Sequence, residues 1–477
     1  MDLQLLLKER FGYTHFRTGQ KEVIHHVLNK RDCVAILPTG MGKSLCYQLP
    51  GYILPGSVLI ISPLVSLMED QVMQMRKNGE KRVVALNSFL PFSERNRVIS
   101  RLGEYKFIFV SPEMLSHKSF ESHLKRIEIG LIVVDEAHCI SQWGFDFRPD
   151  YLRIGEFLSS WSSPILALTA TADTKVINDI TSYLKMDEPA IERHSLDRPN
   201  ISYSIIQLNS TLEKTDWIKE RIMKTTGPGI IYTSSRKRAD ELAAELQWAG
   251  YAIQSYHAGK EQDERAIIQE QFLNNELKWI CATNAFGMGV HKSDIRQVIH
   301  EHLPSNIAGY LQEVGRAGRD GLPSAATLLY MPADERMTSF IIQSDRPDES
   351  QMRHYVKMLA EGQEPSTSAE LAGLSDTGRR IVDYYLERYS LDETNERMKT
   401  LSAEKETELQ KMLNLVHSDK CLRETVLSYF GERCKEKPQA CCSTCGLKEM
   451  EWLTEKTNKK NMSVKVTWDD RITNLLG

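Results

Sequence analysis

Short, almost continuously apolar runs recur through the first 330 residues of the chain, with amphipathic stretches between them. Such runs are typical of parallel strands that are covered on both faces. In the stretch 235–250, the apolar residues are spaced as on one face of a helix: Ala239, Leu242, Ala243 and Leu246. The alternation predicts an α/β fold with parallel sheets. The predicted strands are 33–37, 58–62, 107–110, 131–134, 165–169, 229–232, 279–283, 297–300 and 326–330.

This alternation changes at two places along the chain. Around residues 195–204, Pro199 and several polar residues interrupt the pattern, and strand-like runs resume near Gly229. Beyond Asp345 the sequence becomes helical and highly charged, and residues 362–368 (GQEPSTS) are predicted to form a loop. We therefore expect two α/β domains, each large enough to bury its own core. The expected segments are the domains 1–202 and 203–340, a helical region 341–420, a cysteine-bearing module 421–450 and a polar tail 451–477.

Composition narrows the class of protein. The chain has 60 Lys and Arg against 64 Asp and Glu, a formal net charge of -4, so any nucleic-acid site must be a local basic stripe. No apolar run reaches the ~20 residues that span a bilayer. The N-terminus has only a short leucine run before charges return, too short for the core of a signal peptide. We expect a cytoplasmic protein.

A glycine-rich stretch, PTGMGKS at 38–44, lies between a predicted strand and a helical stretch. Glycines let backbone amides curl around phosphate oxygens, and the following helix adds a favourable dipole. Lys43 would reach the β- and γ-phosphates, and the Ser44 hydroxyl would bind magnesium. Leu37 stands where the general pattern has glycine, so the match is to a variant. The alternative is a turn with one exposed lysine. The residues predicted to hold the nucleotide are Thr39, Gly40, Met41, Gly42, Lys43 and Ser44.

Two carboxylates follow the predicted strand 131–134 directly, in the stretch Asp-Glu-Ala-His. A carboxylate at the end of a buried apolar strand is costly unless a cation meets it. Asp135 can hold a magnesium ion that bridges the phosphates, and Glu136 can orient and deprotonate an attacking water. A helix N-terminal turn would also explain this pair of residues, but the phosphate loop favours the catalytic interpretation.

Two arginines in the second predicted domain, Arg316 and Arg319, lie in the stretch QEVGRAGRDG at 312–321. Charge that develops on a transferred phosphoryl group is stabilised by bidentate cations. If these arginines act on a nucleotide held by the first domain, hydrolysis is coupled to domain motion. The alternative is a pair of surface arginines in a glycine-rich loop.

The stretches at 38–44, 135–138, 167–172 (ALTATA) and 312–321 occur in the order found in superfamily 2 helicases. With FGYTHFRTGQ at 11–20 and SQWGFDFRP at 141–149, the chain resembles the RecQ family of DNA helicases, over roughly residues 5–340 and again at 421–445. The resemblance implies two tandem RecA-like domains followed by a helical zinc-binding module. It also implies that Gln20 hydrogen-bonds the adenine base while Tyr13 and Arg17 pack on it.

The stretch 141–149 resembles the family's aromatic-rich loop, which senses single-stranded DNA and signals to the ATP site. Its aromatic residues Trp143, Phe145 and Phe147 are suited to stacking on bases, and Arg148 can pair with a phosphate. A core strand would show the same alternation, but glycine and proline within the stretch favour a loop. Where the family usually has histidine, this chain has Phe145. Ser62, in the stretch SPLVSL, is expected to contact the DNA backbone.

Five cysteines lie between Cys421 and Cys445, whereas the other four are scattered through apolar segments as inert core residues would be. Cys442 and Cys445 form a C-x-x-C pair whose spacing suits one zinc ion. The other predicted ligands are Cys421 and Cys434, with Cys441 as an alternate. Disulfides are the alternative, disfavoured in a reducing cytosol.

The helical region has one DNA-binding candidate, because residues 368–380 resemble half of a helix-turn-helix. The turn would lie at 372–375, and Arg379 and Arg380 would face DNA. A plain exposed helix pair is the alternative. In the family the connection to the zinc module is commonly shorter. From the length of chain after Cys445, we expect no complete winged helix together with the C-terminal accessory domain found in longer relatives.

These observations predict an ATP-, Mg²⁺- and Zn²⁺-dependent DNA helicase. By resemblance it translocates 3′ to 5′ on single strands and unwinds duplex or branched DNA in recombination and repair. We expect a monomer associated with the nucleoid, and single-strand-binding or recombination proteins are candidate partners. The alternatives are an RNA helicase and a protein that uses ATP as a switch for binding or annealing DNA without unwinding it.

Overall fold

The computed structural model describes residues 2–87, 90–141, 148–225, 227–283, 286, 292–344 and 346–447. This part of the chain forms two compact units. Unit one runs from the N-terminus to Arg198 and also contains Pro304–Gly315 and Glu335–Lys437. Unit two contains Pro199–Leu303, Arg316–Asp334 and the stretch that begins at Pro438.

Unit one is built on a seven-stranded parallel sheet with the strand order β3-β4-β2-β5-β6-β1-β7. Its strands are β1 (Cys33–Ile36), β2 (Ser57–Ile61), β3 (Val83–Leu86), β4 (Phe107–Val110), β5 (Ile129–Val134), β6 (Ile165–Thr169) and β7 (Ala190–Arg193). The interior strands are buried along their length, so both faces of the sheet must be covered. The helices along this part of the chain are α1 (Leu3–Phe11), α2 (Gln20–Leu28), α3 (Leu45–Gly51), α4 (Val65–Lys77), α5 (Phe92–Ile99), α6 (Lys118–Leu124), α7 (Pro149–Leu152), α8 (Ile154–Leu158) and α9 (Thr174–Tyr183).

Unit two is built on a six-stranded parallel sheet with the order β10-β11-β9-β12-β13-β8. Its core packs Trp279, Ile231 and Ile299 of the sheet against Leu242 and Leu246 of a covering helix. Its strands are β8 (Ile201–Gln207), β9 (Gly229–Tyr232), β10 (Ile253–Tyr256), β11 (Trp279–Ala282), β12 (Gln297–His300) and β13 (Ser324–Tyr330). Its helices are α10 (Thr211–Lys224), α11 (Arg236–Trp248) and α12 (Gln262–Leu273).

The remaining described chain is helical. It consists of α13 (Ile307–Val314), α14 (Asp334–Ser344), α15 (Glu349–Ala360), α16 (Pro365–Leu371), α17 (Asp376–Leu386), α18 (Leu391–Val416) and α19 (Leu422–Tyr429). The long helix α18 begins with a capping box in which Ser390 and Glu393 satisfy each other's backbone amides. Among the described residues, no helix is both long and apolar enough to cross a membrane.

The two parallel α/β sheets confirm the predicted fold class, and two local predictions were wrong. The break predicted at 195–204 contains the start of β8, an edge strand whose serines alternate with apolar residues. The loop predicted at 362–368 contains the start of α16, because proline at the first position of a helix needs no hydrogen-bond partner for its nitrogen.

Candidate active site and metal centre

The phosphate loop leaves β1 and leads directly into α3. Gly40 and Gly42 have φ angles of 86° and 72°, which glycine adopts without strain. The Leu37 N–H donates to the Thr169 carbonyl at 3.0 Å, so the start of the loop is fixed to the neighbouring strand β6. Lys43 therefore stands where the chain turns into the helix.

Side chains near the N-terminus hold the carbonyls of this loop. The Gln20 amide donates to the Met41 carbonyl at 2.8 Å and to the Gly42 carbonyl at 3.1 Å, and the Arg17 guanidinium donates to the Gly40 carbonyl. In a trans peptide the C=O and the following N–H point in opposite directions. These bonds therefore fix the orientation of the N–H groups that follow each carbonyl.

Of the three residues expected to read adenine, Arg17 and Gln20 contact this loop. The Gln20 Oε1 atom accepts from the Arg17 N–H at 2.8 Å, and Gln20 itself is buried. Tyr13 is exposed, as a ring that packs on a ligand must be before the ligand binds. Base recognition by Tyr13, Arg17 and Gln20 stays a prediction, while the bonds of Arg17 and Gln20 to the loop carbonyls are observed directly.

The two predicted catalytic carboxylates follow β5, two strands away from the phosphate loop in the same sheet. Because the carboxyl ends of parallel strands share one edge, Glu136 meets the loop. Its Oε1 lies 3.7 Å from the Lys43 Nζ, and its Oε2 lies 3.4 Å from the His138 Nδ1. Glu136 is held at a φ of 46°, a left-handed conformation that costs a non-glycine residue about 1–2 kcal/mol.

Burial makes the charged form of Asp135 unfavourable. Loss of hydration, followed by the neighbouring Glu136 carboxylate, raises its pKa to about 7, while Lys43 opposes the rise. Its backbone is fixed on both sides, because its N–H donates to the Ile61 carbonyl at 2.8 Å and its carbonyl accepts from the Tyr151 hydroxyl at 2.9 Å. Such a carboxylate is suited to a cation that arrives with the ligand.

His138 connects the carboxylates to the stretch 167–172. Its Nδ1 lies 3.0 Å from the Thr169 Oγ1, and the Thr169 hydroxyl donates to the Thr171 carbonyl at 3.0 Å. The hydroxyl therefore accepts from His138, which places a proton on Nδ1. A change at the carboxylates can pass to this stretch through one hydrogen bond.

In unit two, the loop that carries the predicted arginines is fixed by its own contacts. The Asn200 amide donates to the Gly318 carbonyl at 2.9 Å, and Arg296 pairs with Asp320 at 2.5 Å. Arg316 is buried, its Nε has no hydrogen-bond partner, and no ion pair joins it within the part of the chain that the structure describes. Arg319 also has a buried side-chain nitrogen.

Of the predicted DNA contacts, Ser62 and Arg148 are described. Ser62 is buried at the end of β2, and its hydroxyl has no partner among the described residues. Arg148 donates to the Pro63 carbonyl at 2.7 Å, so it supports the backbone beside Ser62. The predicted stacking residues Trp143, Phe145 and Phe147 lie outside the described residues.

Four thiols converge in the cysteine-bearing segment. The sulfur atoms of Cys421, Cys441, Cys442 and Cys445 all lie within 4.8 Å of one another, which fits the four-sulfur donor set of a structural zinc site. Cys441, the alternate, takes the place expected for Cys434. The Cys434 Sγ instead lies 3.4 Å from the Glu436 carbonyl.

The helix-turn-helix candidate has the predicted turn, since α16 ends at Leu371 and α17 begins at Asp376. Arg380 pairs with Asp150 at 3.1 Å, and Arg379 pairs with Asp376 and Asp383 at 3.0 and 3.1 Å. Both arginines are thus used in ion pairs within unit one, and the structure favours a packed helix pair.

One contact on the phosphate loop was missed from the sequence. The Arg198 guanidinium lies 3.3 Å from the Thr39 carbonyl and 3.4 Å from the Gly315 carbonyl. Arg198 precedes Pro199 in the stretch 195–204, which interrupts the alternation of apolar and amphipathic runs. The residues adjacent to Arg198 in the sequence form no motif that would indicate a site.

Three family models match the chain in the order of these features. They are the DEAD/DEAH box helicase at residues 17–180, the helicase conserved C-terminal domain at 213–321 and the RecQ zinc-binding model at 381–446. The fold and site therefore define a helicase with two RecA-like domains. The zinc-binding match begins within α17, so most of α17 and all of α18 belong to it rather than to a connection outside the module.

Curated relatives identify the family. The probable ATP-dependent DNA helicase RecS of Bacillus subtilis is 40% identical over 493 residues, covering 98% of this chain and 97% of the relative. The ATP-dependent DNA helicase RecQ of Pasteurella multocida is 43% identical over 328 residues, covering 68% of this chain, which spans about half (51%) of that relative. The chain belongs to the RecQ family.

Solved structures agree with the fold. The helicase MrfA bound to DNA and AMPPNP matches with a TM-score of 0.57 at 19% identity, covering 70% of this chain and 51% of that chain. Helicase Lhr of Mycobacterium smegmatis, bound to single-stranded DNA and AMP-PNP, matches with a TM-score of 0.57 at 17% identity, covering 86% and 57%. At these identities the likeness concerns the fold alone.

Proposed function

We propose that this protein is an ATP-dependent DNA helicase that translocates on single-stranded DNA and unwinds duplex or branched DNA in recombination and repair. The observation that carries the proposal is the set formed by Lys43, Glu136 and His138 beside a phosphate loop whose carbonyls are held in place. The names of the relatives, which cover nearly the whole chain in the case of RecS, support DNA as the substrate.

In this proposal, the phosphate loop binds the β- and γ-phosphates through Lys43 and its backbone N–H groups. Glu136 accepts a proton from the attacking water, and Lys43 lies 3.7 Å from this carboxylate. Ser44 and Asp135 would hold the magnesium ion, which neutralises phosphate charge when bound. Arg316 and Arg319 would stabilise the charge of the transition state.

DNA contacts and direction of movement rest on family resemblance. Ser62, the aromatic residues of 141–149 and backbone groups would bind the strand without regard to sequence. Movement from 3′ to 5′ and action at the nucleoid are parts of the same proposal. Single-strand-binding or recombination proteins remain candidate partners.

Strand separation tests the proposal. Wild type and Lys43→Ala would be given a fluorescent DNA fork with ATP and magnesium, and ATPase activity would be measured with single-stranded DNA and RNA of equal length. We expect DNA-stimulated hydrolysis and fork opening by wild type only. Stimulation by RNA alone would identify an RNA helicase, and hydrolysis without strand release would identify an ATP switch.

For the cysteine module we propose one structural zinc held by Cys421, Cys441, Cys442 and Cys445, because these are the sulfur atoms that converge. Closure of such a site stabilises a small module without a large core. Metal analysis of Cys441→Ser and Cys434→Ser separates the ligands. We expect zinc loss in the first variant and one zinc per chain in the second; the reverse result would contradict the assignment.

A further inference from the structure

Residues 193–198, here called the connecting segment, form the last part of unit one before Pro199. The helix α19 and the turn after it hold this segment by side chains. The Arg193 guanidinium donates to the Phe430 carbonyl. The Ser195 hydroxyl and the Leu196 N–H donate to the Glu432 carboxylate at 2.9 and 3.1 Å. The segment is thus bound at consecutive positions to one short stretch of the zinc-binding region.

Arg423 makes the most buried of these contacts. Its side chain is 1% exposed, it forms an ion pair with Asp197, and it donates to the Arg198 carbonyl at 3.1 Å. A buried guanidinium is tolerated only when it is paired and hydrogen-bonded. Movement of the connecting segment away from α19 would break both of these contacts of a buried charge, so the backbone at Asp197 and Arg198 is strongly fixed.

The other end of this connection is the phosphate loop. The Arg198 guanidinium reaches the Thr39 carbonyl and the Gly315 carbonyl. The Gly315 backbone also packs closely on the loop, because a Cβ at that position would lie 2.5 Å from the Thr39 Oγ1. The Thr39 carbonyl is held by Arg198 as the next three carbonyls are held by Arg17 and Gln20.

We propose that Arg423 is a positioning residue for the nucleotide. It fixes the backbone of Arg198, and Arg198 then holds the Thr39 carbonyl away from the phosphates, so that the Gly40 N–H in the same peptide points toward them. The zinc-binding region thereby sets the shape of the phosphate loop without touching the ligand. This inference rests on the proposed use of ATP, and it concerns binding rather than hydrolysis.

A double-mutant cycle on nucleotide affinity tests the inference. The variants are Arg423→Met, Arg198→Met and the double variant, and the probe is a fluorescent ADP analogue. Each single variant should raise the Kd about tenfold, the usual effect of one lost hydrogen bond to a charged group. Because both residues act through the same carbonyl, the double variant should bind about as weakly as either single variant.

The matched control is Arg388→Met. The Arg388 guanidinium donates to the Glu156 Oε1 at 2.6 Å and so also joins the helical region to the sheet domain of unit one, but at a position away from the connecting segment. Its Kd should equal that of wild type. Zinc content and Tm are measured for every variant, so that loss of the module is recognised.

If Arg423→Met does not fold, the variant Arg423→Met/Asp197→Asn replaces it in the cycle, because removing both charges leaves no unpaired ion in the interior. An unchanged Kd in a folded, zinc-containing Arg423 variant would overturn the inference. So would additive effects, which would raise the Kd of the double variant about a hundredfold. A wild type that binds ADP without hydrolysing ATP would defeat the proposed function and leave this cycle readable.

Discussion

In unit one, the Glu136 carboxylate lies between Lys43 and His138, whereas in unit two the buried Arg316 forms no ion pair with any described residue. In unit one, the charge of the Glu136 carboxylate is balanced by Lys43 before any ligand binds. In unit two, Arg316 is a buried cation without a carboxylate partner among the described residues. Because an unpaired buried ion is costly, Arg316 is suited to a negatively charged ligand. The difference fits the proposed roles, in which the loop of unit one binds the nucleotide and Arg316 stabilises the charge that develops on the phosphate.

The two loops also carry backbone strain differently. After β5 in unit one a non-glycine residue, Glu136, is left-handed, whereas in the loop of Arg316 and Arg319 the left-handed residues are Gly318, at a φ of 54°, and Gly321, at 84°. Strain in a non-glycine residue persists when the surroundings determine it, and it is typical of active sites. In unit two, glycine serves the close approach of Asn200, which leaves no room for a side chain.

The largest effect is expected when Arg316, the buried arginine of unit two, is replaced. Arg316→Ala should lower kcat about 10³- to 10⁵-fold, because the transition-state charge loses its bidentate partner, while nucleotide affinity stays near that of wild type. Steady-state ATPase assays and fluorescent nucleotide binding measure both. The control is Lys219→Ala, a surface residue paired with Glu245. Normal turnover in Arg316→Ala would mean that unit two does not contribute to the chemistry.

The next largest effect tests the base of unit one. Glu136→Gln should retain nucleotide binding but lose about 10²- to 10⁴-fold in kcat, because an amide cannot accept the proton of water. Rapid mixing with fluorescent ATP and phosphate release separates the two steps. A variant that hydrolyses ATP at the normal rate would exclude Glu136 as the water-activating group.

A smaller effect is expected on the stability of the loop that carries Arg316 and Arg319, here called the arginine loop. Gly318→Ala should lower the free energy of unfolding of unit two by about 2–4 kcal/mol, because a Cβ would lie 2.4 Å from the Asn200 Nδ2 in a left-handed conformation. Gly321→Ala is the matched control. Its φ is 84° but no atom lies within 4 Å of the added carbon, so only about 1 kcal/mol should be lost. Equal losses in urea unfolding would contradict the close packing.

The mildest perturbation is a change of pH. Because the pKa of Asp135 is raised from its usual 3.8 to about 7 in the fold, the folded state binds more protons than the unfolded chain between these values. The free energy of unfolding without nucleotide or magnesium should therefore fall as pH rises from about 4 to 7, and Asp135→Asn should flatten this fall.

The sequence predicted the nine interior strands of the two sheets, and the four strands that it did not single out are all at sheet edges. Edge strands such as Ala190–Arg193 and Ile253–Tyr256 contain charged or polar residues, because one side of the strand has no neighbour. The fourth, Val83–Leu86, is apolar throughout and had a signal that was overlooked.

Site residues that lie in short motifs could be predicted from the sequence, whereas residues that meet only through the fold could not. Short motifs are enough to single out Lys43, Asp135 and Glu136 as candidates, and the fold brings Lys43 and Glu136 within 3.7 Å of one another. The convergence of Cys441, rather than Cys434, with the other thiols depends on how the chain folds back, since the Cys441 carbonyl accepts from the Tyr203 N–H at 3.1 Å. The hydrogen bond between Arg423 and Arg198 joins residues 225 positions apart, and no pattern of neighbouring residues encodes such a pair.

Arg17, Gln20 and Arg198 donate to successive carbonyls of the phosphate loop. The conformation of the loop therefore depends on residues outside its own motif. Grafting only β1, the seven-residue motif and α3 into another sheet would transfer the sequence of the phosphate loop. It would leave behind the side chains whose hydrogen bonds orient the loop amides. Design of a minimal nucleotide binder from this chain would have to carry along both the N-terminal segment and the stretch ending at Arg198.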